Sequence, residues 1–416
     1  MTARLASVCL LAACLDTQEL TEPPIITSRV EYKDLALRVP RRLDLLFVID
    51  GSPAMRAHRE TVEANAPNFI HVLNTIEGGL PSVQIAVISS DLGTSGRDGV
   101  PGADLPGEGA CGSTGDDGRF RTTNAISGRF LVDRQFADRS RERNYTGLLH
   151  EVFPALARVG DSRCAFSQPL EAMRRALLEP QHGGFLRDDA DLAVIFITAQ
   201  DDCSFGRAAF LDDVALAPID TSRCYTRADE LVPIDTYVTL LRSLKRDPSR
   251  ITVSGVFGPT APIELRVEDG RVVVAPSCSY ERGEALPSPR LQLLLDQFPN
   301  RNTTTSICQQ DLSGGLQLFS GLPSHRFSDP CFSGVLADAD PLAPGRQEDC
   351  TVWYEFPPFG HVQEQLLERC TSAHSTACWT IATDLARCPK TGDFIKIETG
   401  PVELPDTHAH VECVTQ

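Results

Sequence analysis

The chain has 416 residues, 42% hydrophobic and 23% charged, with a formal charge of −17. That length accommodates two or three domains, and the acidic balance excludes nucleic acid as a partner, since phosphates require a basic face. Beyond the N-terminus no stretch reaches the ~18–20 uninterrupted apolar residues of a membrane-spanning helix, which excludes an integral channel or transporter.

Met1 to Cys14 carries one positive charge, at Arg4, then a short apolar run ending Leu11-Ala12-Ala13-Cys14. Small residues before a cysteine suit a signal peptidase cleft, and the tetrapeptide resembles the lipobox of bacterial lipoproteins. The expectation is a signal peptide over 1–13, lipidation at Cys14, and a polar, proline-bearing tether over 14–41. An acylated Cys14 attaches the protein to a membrane, here expected to be the outer membrane. The chain has 14 cysteines and no CxxC pair, so neither a zinc ribbon nor a thioredoxin-type site has support. Setting Cys9 and Cys14 aside, the remaining cysteines are even in number and read as disulfides formed in an oxidising compartment.

In chain order, Leu43–Asp50 is a continuous apolar run closing on an acid, the mark of a strand buried on both faces. A helix follows over Arg56–Ile76, with Pro67 as a candidate break. Val83–Asp91 is a second strand ending in polar residues, and 93–128 reads as a long loop pinned by Cys111. Helical spacing returns at Tyr145–Val159 and Gln168–Leu178, and Leu192–Thr198 is the most apolar strand. Val232–Leu244 reads as a helix, Ile251–Phe257 as a strand, and Asp269-Gly270 as the turn of a hairpin joining 263–267 to 271–274. Pro289–Phe298 and Gln309–Leu322 are expected helices. Alternation of this kind implies an α/β domain over 42–328, with a doubly wound, mostly parallel central sheet and helices on both faces. A small disulfide-stapled region over 329–416 completes the chain, with helical spacing at Val362–Cys370 and short strands at Phe394–Glu398 and His408–Val414.

Strand ends of such a sheet are where ligands bind. Here they present Asp50-Gly51-Ser52, Ser89-Ser90-Asp91 and Asp201-Asp202, oxygen donors suited to a hard cation. Leu45–Met55 resembles the opening of a von Willebrand factor A (VWA) domain, whose metal-ion-dependent adhesion site begins Asp-x-Ser-x-Ser. Val87–Gly93, Gly115–Arg119, Gln168–Leu177 and Thr305–Cys308 are similar to stretches of VWA-containing lipoproteins of myxobacteria. The resemblance implies a metal site of Asp50, Ser52, a hydroxyl at Ser167 and, displaced by two positions, Asp201. It also implies that this site is degenerate: Ala54 replaces the second serine, and Ala199 stands where the family has an acid. Mg²⁺ or Ca²⁺ is therefore expected to bind weakly or not at all, and no other cofactor is expected. Asp50 also suits a simple helix cap.

Other signals point to less. His408 and His410 read as surface histidines, and Asp116-Asp117 and Asp201-Asp202 as turn chemistry rather than calcium loops. HExxH and Gly-x-Ser-x-Gly motifs are absent from the sequence, and no Gly-rich phosphate loop follows the first strand. Cys278 with Cys308, and Cys203 with Cys224, look like local bridges. The resulting expectation is a non-enzymatic envelope lipoprotein whose VWA module binds an unknown protein or surface ligand. A metal-dependent hydrolase using the rim acids and a structural envelope scaffold are the alternatives.

Overall fold

The computed structural model describes residues 29–36, 42–74, 79–136, 140–160, 164–188, 190–212, 219–245, 248–281, 283–299, 301–312, 330–356, 363–371, 377–385, 388–398 and 408–416. Its strands are β1 (Arg29–Ala36), β2 (Arg42–Ile49), β3 (Ser82–Ser89), β4 (Leu131–Gln135), β5 (Arg141–Arg143), β6 (Asp191–Ile197) and β7 (Ile251–Phe257). They continue with β8 (Leu265–Glu268), β9 (Arg271–Val274), β10 (Cys278–Tyr280), β11 (Gly283–Ala285) and β12 (Asn302–Ser306). The C-terminal strands are β13 (Cys350–Phe356), β14 (Gln363–Leu366), β15 (Glu368–Arg369), β16 (Cys378–Thr383), β17 (Asp393–Glu398) and β18 (His408–Thr415). The α-helices are α1 (Arg59–Asn74), α2 (Leu149–Ala157), α3 (Pro169–Leu178), α4 (Arg223–Thr226), α5 (Ile234–Ser243) and α6 (Pro289–Asp296).

A seven-stranded sheet in the order β12-β7-β6-β2-β3-β4-β5 forms the centre. The strands from β12 to β3 pair in parallel, while β4 and β5 add antiparallel, so the sheet is mixed. The two antiparallel strands surround a buried acid. Asp133 on β4 is paired with Arg141 and Arg143 and receives the Tyr145 hydroxyl at 2.5 Å, which satisfies the charge.

Both faces of the sheet are apolar, as continuous hydrophobic strands require. Leu43, Leu45, Phe47 and Ile49 pack with Val62, Phe69 and Ile70 of α1 and Val152 and Phe153 of α2. Leu46 and Val48 face the other way, with Leu170 and Met173 of α3, Tyr237 and Leu241 of α5, and Leu291 and Leu294 of α6. Phe47 touches Phe153 with ring centroids 4.8 Å apart. This burial also explains why Pro67 does not divide α1. Its stripe of buried residues holds the helix against the sheet, and packing outweighs the lost backbone bond.

Several elements differ from the sequence reading. Helix α2 starts at Leu149 rather than Tyr145, where the Glu151 carboxylate accepts the Leu148 N–H at 3.2 Å. Residues 363–366 and 368–369 are strands, not helix: the first pairs antiparallel with β13 and the second parallel with β16, and between them Leu367 is buried and its N–H bonds the Val352 carbonyl at 2.8 Å. Residues 309–312 are non-helical, and the rest of the expected helix to Leu322 lies outside the described residues. So do Cys9, Cys14 and the signal segment. The described helices include none long and apolar enough to cross a membrane.

Residues 29–36, within the stretch expected to be a tether, form β1 and pair antiparallel with β18 along their whole length. The four-stranded sheet β1-β18-β13-β14 thus joins chain segments from opposite sides of the central sheet in sequence. Beneath it lie Leu35, Phe332, Val352, Trp379, Ile395 and Val411. Six disulfides close the described chain: 111–164, 203–224, 278–308, 331–388, 350–413 and 370–378. Both locally expected bridges are among them.

Glu31 fastens β1 to the following region by accepting Lys33 Nζ at 2.8 Å, Ser333 Oγ at 2.8 Å and the Ser333 and Gly334 N–H groups at 3.0 and 3.1 Å. Burial raises its pKa, but Lys33 and the donors from Ser333 and Gly334 outweigh burial and hold the carboxyl at about 2. Because the folded pKa lies below the unfolded value, the ionised carboxylate stabilises the fold above about pH 4.5, and that contribution fades as pH falls towards about 2. Glu31→Gln is expected to lower the melting temperature at pH 7, with the gap from wild type narrowing steadily between pH 5 and pH 3 in thermal unfolding.

Candidate functional site

The register of the central strands assembles the rim. Ile49 lies opposite Ser89 on one side and Ile197 on the other, so the next residues, Asp50, Ser90 and Thr198, meet at the carboxyl ends of three adjacent strands. Backbone bonds carry the ladder one step further, from Asp50 N–H to the Ile197 carbonyl (2.8 Å) and from Ser90 N–H to the Ile49 carbonyl (3.3 Å).

Asp50 is 1% exposed, and both its carboxylate oxygens are occupied by donors. Oδ1 accepts Ser52 N–H at 2.8 Å and Ser90 Oγ at 3.0 Å, and Oδ2 accepts Ser52 Oγ at 2.9 Å. Thr198 Oγ1 lies 2.9 Å from Oδ2 and 2.9 Å from the Gln200 carbonyl, with one proton to share. The hydroxyls have donors of their own: Ser167 Oγ donates to Ser90 Oγ at 2.8 Å, and Gln200 Nε2 donates to Ser52 Oγ at 2.9 Å and to the Ala165 carbonyl at 3.0 Å. Proton direction is therefore consistent around the cluster, running Ser167 to Ser90 to Asp50 from one side and Gln200 to Ser52 to Asp50 from the other. A carboxylate offers about four lone-pair sites, and here four donors address them.

The sequence-predicted ligands separate in two. Asp50, Ser52 and Ser167 come together. Asp201 is engaged elsewhere: its Oδ2 accepts Arg290 N–H at 2.9 Å and its Oδ1 accepts Leu291 N–H at 3.1 Å, so it caps the N-terminus of α6. Two orphan donors of a buried helix start draw it there. Asp202 does the same for α3, accepting Leu170 N–H at 3.1 Å. Ala54 and Ala199 pack into the apolar core on the α1 side.

A hard cation requires about six oxygens with lone pairs directed inward. In this cluster there is one carboxylate, both its oxygens already accept hydrogen bonds, its hydroxyls point their protons at it, and an amide N–H takes one of the two lone pairs of Ser52 Oγ. The residues present do not fit Mg²⁺ or Ca²⁺. Sequence reasoning counted Ser90 among the rim donors but not in the ligand set, and included neither Thr198 nor Gln200. The first two were legible as the polar residues directly ending strands; Gln200 had no signal, because only the folded loop turns its side chain back to Ser52.

Loops cover the cluster. Leu105, Phe166, Phe205, Phe210, Leu211 and Ile219 form a separate apolar group with the 111–164 and 203–224 disulfides. Cys203 N–H bonds the Ser167 carbonyl at 2.8 Å and Gln168 N–H the Ser90 carbonyl at 3.0 Å, fixing this cover to the rim. Gly96 has φ +55, and a Cβ there would meet the Phe205 ring at 2.7 Å, so the close approach of the 93–128 loop requires glycine. Arg175 of α3 holds the same loop through Asp117 and the Ser95 hydroxyl at 3.1 Å.

His410 departs from its reading as a surface histidine. It is 8% exposed, with Nδ1 2.5 Å from the Tyr32 hydroxyl and Nε2 2.7 Å from Glu355 Oε2, and it ties β1, β18 and β13 together.

Two outcomes test this arrangement. Gln200→Ala leaves the Ala165 carbonyl and Ser52 Oγ without their donor, and is expected to destabilise by about 1–3 kcal/mol in denaturant unfolding. The second concerns Asp201. Burial pushes its carboxyl up, the N–H groups of Arg290 and Leu291 pull it down, and neighbouring Asp202 adds to the rise, placing it at about 7. With the folded pKa above the unfolded one, the folded state retains the proton and stability falls as pH rises from about 4 through about 7. Wild type is expected to lose more melting temperature than Asp201→Asn between pH 5 and pH 8.

No protein-family model and no curated protein matches the chain. Among solved structures, it is similar to the conserved hypothetical protein BatB from Bacteroides thetaiotaomicron, at 10% identity and TM-score 0.30, over 68% of this chain and 98% of that one. It is also similar to the pilus adhesin SpaC from Lactobacillus rhamnosus GG in its open conformation, at 8% identity and TM-score 0.27, over 94% of this chain and 41% of that one. A third likeness is to the ArnB paralog VWA2 from Sulfolobus acidocaldarius, at 9% identity and TM-score 0.24, over 94% and 66% respectively. Likenesses this distant do not define the fold, which rests on the strand registers.

Proposed function

We propose that this chain is an envelope-anchored VWA-type binding module that works without a metal ion. In this reading its sheet is the doubly wound sheet of that family, Cys14 carries the lipid anchor to the outer membrane, and the partner is a protein or surface ligand. The single observation behind the metal-free reading is the Asp50 carboxylate, buried and addressed by Ser52, Ser90 and Thr198, with Gln200 Nε2 on Ser52. A partner carboxylate cannot reach a cation at a position that is covered and filled. Recognition then belongs to the outer surfaces of the loops above the rim, and Asp50 serves as the pin that fixes them. A non-catalytic role fits the same feature, since the rim acids are committed: Asp50 to hydroxyls, Asp201 and Asp202 to helix starts.

Thermal unfolding of the full chain carrying Cys14→Ser, with EDTA, Mg²⁺, Mn²⁺ or Ca²⁺, tests this reading. A ligand bound only to the native state at ~100 times its dissociation constant adds ~2.7 kcal/mol, a visible shift. The expected result is no ion-dependent shift. A stabilisation by Mg²⁺ or Mn²⁺ that disappears in Asp50→Asn contradicts the metal-free reading.

A further inference from the structure

Immediately after β7, residues 259–272 are exposed without interruption. Within them β8 and β9 form a two-stranded sheet of their own, closed by Asp269 and Gly270 at φ 48° and 77°, the signature of a type I′ turn. Leu265 pairs with Val274 and Val267 with Val272, so these four side chains share one face, whereas Arg266, Val273, Glu268 and Arg271 share the other. The first face is open: Leu265 is 50% exposed, Val267 74% and Val272 43%, and Ile263 beside them is 51% exposed. An isolated two-stranded hairpin is marginal in water, and an apolar strand with an open edge is a template for another strand. Among the described residues no strand pairs with the second edge of β8.

We propose that a second copy of this chain covers this arm, by antiparallel pairing of β8 with its twin about a two-fold axis through Leu265. The charge pattern selects that register. Around Leu265 the chain reads Ile263-Glu264-Leu265-Arg266-Val267, with Ile263 and Glu264 just before β8 and the Glu264 carbonyl still accepting the Ala275 N–H at 2.8 Å, and Glu264 and Arg266 already form an ion pair within the chain at 3.0 Å. A two-fold axis at Leu265 sets each Glu264 opposite the second copy's Arg266, twice over, and each Ile263 opposite a Val267. An axis one residue on, at Arg266, sets Glu264 opposite Glu268 and arginine opposite arginine, which like-charge repulsion disfavours. An axis at Val267 places Leu265 against Asp269, a turn residue at φ 48° that cannot extend the strand. The product is a four-stranded sheet, β9-β8-β8-β9, with an isologous interface. Interfaces of this small size are weak, so dimerisation depends on concentration.

Sedimentation equilibrium of the full chain carrying Cys14→Ser, over a wide concentration range, reads this directly. The expected mass rises towards twice that of the monomer, and Leu265→Glu holds the protein monomeric. Arg266→Glu places glutamate opposite Glu264 at both pairs and is expected to weaken association about tenfold, while the double swap Glu264→Arg with Arg266→Glu restores it. All these residues are exposed, so circular dichroism and melting temperature should match wild type. A wild-type protein that stays monomeric at the highest concentration overturns the proposal. So does a dimer that persists in Leu265→Glu, or a double swap no tighter than Arg266→Glu alone.

Discussion

A carboxylate taken out of water must be met by donors, and the way Asp50 is met organises the rim of this molecule. Burial of an unpaired carboxylate is costly enough that the surroundings must supply hydrogen bonds, a cation or a proton. Here they supply hydrogen bonds, from two neighbouring strands and from the Asp50-Gly51-Ser52 turn itself. The strand registers bring Ser90 and Thr198 to Asp50; Ser167 and Gln200 then orient the hydroxyls that face it. The segments that follow β2, β3 and β6 and the one that precedes α3 are thus tied to the same buried charge.

That arrangement commits the acid at the strand ends to structural work. The 111–164 and 203–224 disulfides and the phenylalanines between them make a second small core over the strand ends. Once the strand ends are covered, the exposed chemistry of this end lies in the loops. The hairpin after β7 is one such element, and it carries its apolar side chains outward rather than into either main core. The N-terminal strand is incorporated differently, through Glu31 and His410 into the C-terminal sheet, so a pull along the segment before residue 29 would act on β1, β18 and β13 together.

Much of the central architecture was legible in the sequence because its strands are continuous apolar runs. Leu43–Ile49 and Leu192–Ile197 are readable as buried strands without any partner information, and Asp269-Gly270 announces its turn. Elements that depend on partners were less visible. β1 has a mixed, polar sequence and is a strand because β18 lies beside it, and β14 is a strand because it pairs with β13. In the site, the absent oxygens at Ala54 and Ala199 could be read directly, which is why weak metal binding was expected. The capping of α6 by Asp201 was not legible, because sequence proximity says nothing about which orphan N–H groups a carboxylate will face, and α6 begins nearly ninety residues later. Gln200 was invisible for the same reason.

The most direct test of the account is a crystal of the Cys14→Ser protein soaked in Mn²⁺ and measured for anomalous scattering. The account predicts no anomalous peak at Asp50, with Gln200 Nε2 within hydrogen-bond distance of Ser52 Oγ. A peak coordinated by Asp50 and Ser52, with the Gln200 amide turned away, would contradict it.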